Sequence, residues 1–134
     1  MKILVIDVQG GKRGRTLIEE IIKIRPEAEV ICAGTNSAAT ANMLKGGASA
    51  GATGENAVCV CAAGADVIAG PIGIVMADSL MGEISARIAF AVAKSKAKKV
   101  LIPYNKCGAT VAGTEDTPLS ELVKKCAKTI AEMC

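Results

Sequence analysis

The chain has 134 residues, no histidine, and 16 basic against 13 acidic side chains, a net charge of +3. That length fits one domain with a sizeable core. It excludes imidazole ligation and histidine acid–base catalysis, and the charge is too small and the aromatics (one Phe, one Tyr, no Trp) too few for phosphate-backbone binding with base stacking.

Residues 2–7 (KILVID) form a continuous aliphatic run, the pattern of a strand buried on both faces. The acid at Asp7 comes too early for a signal-peptide apolar region, and no run reaches the roughly 18 apolar residues of a membrane span. A cytoplasmic protein with no membrane partner is expected. Leu17, Ile18, Ile21, Ile22 and Ile24 give a helical stripe that Pro26 ends. Residues 29–33 (EVICA) predict a second strand. Asn36 or Ser37 can cap a helix carrying Met43 and Leu44, which stops at Gly46-Gly47. Residues 50–53 can hold a third strand.

The stretch TGENAVCVCAAGA fits either a strand or a helix. A helix is preferred, because it keeps the alternation that parallel strands require; Thr53 would cap it. Residues 66–70 (DVIAG) predict a fourth strand, residues 85–94 a helix, and residues 99–103 (KVLIP) a fifth strand. Residues 110–113 suggest a short edge strand. Thr117 as cap and Pro118 at the first helical position open a last helix. Lys94, Lys96, Lys98 and Lys99 bracket a helix end, where cations are favourable without any nucleic-acid partner. This order predicts a single three-layer Rossmann-like α/β domain over residues 1–134, with a mainly parallel five-stranded sheet.

Six cysteines in a chain of this pattern predict free thiols, several acting as small core hydrophobes. Cys59 and Cys61 lack the spacing of zinc pairs, so no metal site is assigned. Cys107, Cys126 and Cys134 leave a Cys-only cluster as an alternative.

Ligands of such sheets bind beyond the carboxyl ends of the strands. Here those exits carry Gly10-Gly11, Thr35-Asn36, Thr53 to Asn56, Gly70 to Gly73, and Tyr104-Asn105, whereas the opposite ends are ordinary charged turns. Aligned from Val8, a G-x-G-x-x-G fingerprint matches only Gly10, and the G-x-x-x-G-x-G variant only Gly14. Gly10 and Gly11 can still direct amides at an anion, reinforced by Lys12, Arg13 and Arg15; the competing reading is a tight turn with solvated cations. Asp7 would shape that loop, since a carboxylate repels phosphate. No acid follows the second strand to take a ribose hydroxyl, so the sequence does not support NAD selectivity.

The segments QGG, GTNSAATANMLKGGA, GATGENA, GPIGI and KKVLIP resemble, in order, the small bacterial domain-of-unknown-function family catalogued under number 3842. The resemblance spans nearly the whole chain. It implies a Rossmann-like fold and no established activity. That family's first loop is richer in glycine, of the form G-Q-G-G-G-I-G; Val8, Lys12 and Arg13 here replace two glycines and the isoleucine and should hinder a pyrophosphate lying flat.

Three functions compete. The first is binding of a nucleotide or other small-molecule anion at Gly10, Gly11, Lys12, Thr35, Asn36, Thr53, Glu55, Asn56, Gly70 and Gly73. The second is a small enzyme, a degenerate oxidoreductase, using Glu55 or Asp78 as acid–base. The third is an oligomeric scaffold with a relic cleft. Binding ranks first because no acid–base pair or nucleophile triad is legible. Asp78, Ser79 and Glu83 read as either a lid or caps of the next helix. A mean hydropathy of +0.40 and two apolar helices predict a homo-oligomer, most simply a dimer.

Overall fold

Burial along residues 2–7 divides between two faces. Ile3 and Val5 join one apolar cluster, and Leu4 and Ile6 join another. A strand buried on both sides must be central, and β1 (Lys2–Asp7) is. The computed structural model describes residues 1–134, the side chain of Asn105 excepted. Five strands, β1, β2 (Glu29–Gly34), β3 (Ala50–Thr53), β4 (Val67–Pro71) and β5 (Lys98–Ile102), pair in the order β3-β2-β1-β4-β5. Every pairing is parallel, with Leu4 opposite both Ile31 and Ile68.

Helices cover both faces. On one lie α1 (Lys12–Ile24), α2 (Ser37–Lys45) and α5 (Leu119–Met133), whose Leu17, Ile18, Ile21, Met43, Val123 and Ile130 meet Ile3 and Val5. On the other lie α3 (Glu55–Gly64) and α4 (Ala86–Lys94), with Val58, Ala62, Ile88 and Val92 against Leu4, Ile6 and Ile68. Almost no aromatic surface is available, so the layers interlock through aliphatic side chains and small residues at close approach. The expected three-layer Rossmann-like domain with a five-stranded sheet is the observed fold.

Four local expectations are corrected. Residues 110–113 form a loop that ends in a turn, not an edge strand: the two β-branched residues Thr110 and Val111 are followed at once by Ala112 and by Gly113 at φ 89°, too short a run to pair as a strand. Helix α5 starts one residue late, at Leu119, with Pro118 in the cap position; Pro118 takes ψ 146°, and its carbonyl accepts from Glu121 and Leu122. Thr53 does not cap α3. Gly54 holds that position at φ 106°, a conformation Thr53 could not share, and the Thr53 hydroxyl pairs with Thr40 Oγ1 at 2.8 Å. Of the two caps offered for α2, Asn36 is the one used, accepting from Ala39 N–H; α4 starts at Ala86, one residue later than expected, with Ser85 as its cap accepting from Ile88 N–H.

Strands β2 and β3 follow β1 to one side, and the chain then crosses to β4 and β5 on the other. The reversal lies between β1 and β4, so the loops after these two strands flank the crevice where such sheets take ligands.

Candidate functional site at the carboxyl edge of the sheet

The loop between β1 and α1 is held from below. Asp7 is 1% exposed; its Oδ1 accepts from Val8 N–H at 2.8 Å and its Oδ2 from Gly14 N–H at 2.7 Å. Burial pushes this carboxyl above the ordinary range, against those two amide bonds and the Arg13 charge. Both oxygens are thus spent on shaping the loop, as the sequence suggests. Gln9 takes φ 50° and Gly11 φ 71°, and Gly11 N–H closes the turn on Val8 C=O at 3.0 Å.

Helix α2 holds the same loop from the side. Asn36 Nδ2 donates to Gln9 C=O and Asn42 Nδ2 to Gly10 C=O, each at 2.9 Å, and Arg15 Nη1 donates to Asn42 Oδ1. With both carbonyls drawn toward α2, the N–H groups of Gly10, Lys12 and Arg13 have no protein acceptor among the described residues. Helix α1 has no acid in its first turn, and Asp7 accepts from Gly14 N–H at its positive end.

The two glycines differ. A side chain at Gly10 would meet open space, whereas one at Gly11 would lie 2.6 Å from the Ala39 carbonyl oxygen. Gly11 is therefore required by the approach of α2, and Gly10 is the open position. Gly70 is buried within β4 against the Ile6 carbonyl of β1, and Gly73 makes room for Cys107 Sγ and Ser79 Oγ. Both are positions of close packing.

Glu83 is the residue that the sequence reading left outside the site. It half-buries over the exits of β1 and β2, where its Oε1 accepts from Thr35 Oγ1 at 2.7 Å, Asn36 Nδ2 at 2.9 Å and Gln9 N–H at 3.0 Å. Desolvation opposes its charge, but the bonds from Gln9, Thr35 and Asn36 outweigh it and hold the carboxyl below the ordinary range. Thr35 and Asn36 are thereby joined to the first loop. Topology held the missing signal: the connection leaving β4 begins at the carboxyl edge, so an acid within it is delivered there. Ser79 bonds Gly73 C=O, and the exposed Asp78 sits at φ 63°; neither caps α4, which Ser85 does.

Other candidates gather elsewhere. Arg87 of α4 bonds Glu55 Oε1 at 3.2 Å and Asn56 Oδ1 at 3.1 Å, tying α3 to α4. The Ser85 and Arg87 contacts lower the affinity of Glu55 for a proton, which weakens it as a general base. On the β5 side, the Arg13 guanidinium lies 3.9 Å above the Tyr104 ring, and its buried Nε has no hydrogen-bond partner among the described residues. Tyr104 also borders an open groove of about 390 Å³ formed with Pro103, Thr110, Thr114, Leu119 and Leu122. Among the described residues, no three Cys, Asp or Glu side chains come together in a group able to hold a metal. No helix is long and apolar enough to cross a membrane.

Comparison with solved structures finds a crystal structure of a dodecameric FMN-dependent Ubix-like decarboxylase from Escherichia coli O157:H7. The match covers 99% of this chain and 93% of that one, with a TM-score of 0.54 and 16% identity. At that identity the likeness is one of fold. No curated protein matches the chain. The family model described as Domain of unknown function (DUF3842) matches residues 2–134, and the chain belongs to that family.

Proposed function

We propose that this protein binds a nucleotide or another phosphorylated small molecule at the carboxyl edge of its sheet, over the loop between β1 and α1. The observation that carries the reading is the set of unpartnered amides at Gly10, Lys12 and Arg13, beside an open Gly10 and two cationic side chains. Amides fixed at a helix start favour an anion without reorganising, and Lys12 and Arg13 add charge. The groove beside Tyr104 offers space for the remainder of the ligand, within the range of small-molecule sites.

The Escherichia coli protein of similar fold is FMN-dependent, which makes FMN the first compound to try, followed by AMP, NAD and inorganic phosphate. At a hundredfold excess over Kd, mass action adds about 2.7 kcal/mol, a melting rise of roughly 10 °C for a chain of this size. The rise should grow with the logarithm of ligand concentration above Kd and shrink at high salt. Gly10→Val, at a position with room for a side chain, should fold normally and lose most of the rise. A panel without any concentration-dependent shift would overturn the reading.

Self-association is a second reading, resting on the face of α3 and α4. Val60 and Phe90 are 63% and 65% exposed there, beside a groove of about 510 Å³ lined by Cys59, Ala63, Phe90 and Ala91. Apolar surface of this kind is commonly covered by a second subunit. Light scattering at micromolar concentration should give a multiple of the chain mass, reduced by Phe90→Glu. A wild-type monomer mass would refute it.

A further inference from the structure

We propose that Glu83 reads a free sugar hydroxyl of the bound ligand, so that the site takes compounds with an unmodified ribose or ribose-derived chain and rejects those phosphorylated at that hydroxyl. The inference rests on the phosphate-site reading above and adds the group that stands next to the phosphate.

The geometry of one carboxylate carries it. Oε1 of Glu83 is filled by three donors, Thr35 Oγ1, Asn36 Nδ2 and Gln9 N–H. Oε2 receives only a share of the Gln9 N–H, at 3.2 Å. A carboxylate has about four lone-pair sites, so Oε2 keeps acceptor capacity. The three bonds to Oε1 fix the group in position, while the side chain remains partly open to solvent. Thr35 and Asn36 are the positioning residues, and Glu83 makes the contact.

Location supplies the second argument. In doubly wound sheets a carboxylate beyond the second strand accepts from the ribose hydroxyl, while the first loop holds the phosphate. In this chain the residues after β2 are Thr35 and Asn36, neither of them acidic. Glu83 brings the carboxylate to the same place from the connection between β4 and α4, touching the first loop through Gln9. Leu80 and Ile84, 5% and 0% exposed, anchor the chain on either side of it. A second phosphate at that hydroxyl would face a fixed negative charge, and a missing hydroxyl would leave Oε2 with water alone.

The test measures affinity by calorimetry for AMP, 2′-deoxy-AMP, adenosine 2′,5′-bisphosphate, FMN and inorganic phosphate. In the wild-type protein AMP should bind about tenfold tighter than its 2′-deoxy form, and at least that much tighter than the bisphosphate. FMN, whose ribityl chain also offers free hydroxyls, should bind as a hydroxyl-bearing ligand does. Glu83→Gln should bring the bisphosphate to within about threefold of AMP. Thr35→Val, which leaves the carboxylate in place but less firmly held, should lose part of the same selectivity and gives an independent variant should Glu83→Gln fold poorly. Equal binding of AMP, its deoxy form and the bisphosphate would overturn the inference while the phosphate site stands. Absence of binding by inorganic phosphate and every nucleotide would overturn both.

Discussion

A methyl group added at Gly11 would lie 2.6 Å from a backbone oxygen of α2, on a residue already at φ 71°. Gly11→Ala should therefore lose at least about 2 kcal/mol in chemical denaturation. Gly10→Ala, facing open space, should stay within about 0.5 kcal/mol. Equal losses at the two positions would refute the different roles assigned to them. Glu83 carries a pH signature. Its folded pKa lies below the unfolded value near 4.5, so its contribution to stability is complete above that pH and is lost as acidification passes the folded value. Melting curves of Glu83→Gln should show a shallower acid limb than the wild type below pH 4.5; parallel curves would contradict the three-donor arrangement. Its partner Gln9 is 74 positions away in the chain. No local pattern reports a contact across that distance, which is why the loop was legible in the sequence and its carboxylate was not.

Helix α4 shows how differently two polar contacts at one helix start should weigh. Ser85 caps it by accepting from Ile88 N–H, a donor that has no intrahelical acceptor. Arg87 joins it to α3 through exposed side chains, where water screens the charges. Ser85→Ala is expected to cost about 1 kcal/mol. Arg87→Ala should cost less than Ser85→Ala, and its cost should shrink further in high salt. A larger loss for Arg87→Ala would reverse this ranking. Elements were readable where burial imposed a pattern. A parallel strand covered on both faces must be aliphatic throughout, which places β1 at residues 2–7, and the need for a crossover makes residues 55–64 a helix despite their alternation. Boundaries failed where two residues competed for a backbone role, as Thr53 did with Gly54. The glycine took φ 106°, and the threonine turned to Thr40 instead.

At the scale of the molecule, the two faces of the sheet determine thiol chemistry. Cys32 and Cys126 lie in the cluster with α1 and α5, and burial pushes their thiols up to about 11 and about 12. Cys134 is exposed at the end of α5. Alkylation of the native protein should modify Cys134 first and leave Cys32 and Cys126 unmodified until denaturant is added, when all six label without reductant. Early labelling of Cys126 would mean that α5 detaches readily. The strand order has a further consequence, for aggregation. A parallel sheet of five strands has two open margins, each a row of unpaired amides able to recruit a strand from another molecule. Here β3 forms one margin, and it is four residues of Ala, Gly, Ala and Thr, too short and too bare to template a neighbour. The other margin, β5, begins with Lys98 and Lys99, so an approaching copy brings like charge against like. Both margins thus resist fibril-like growth.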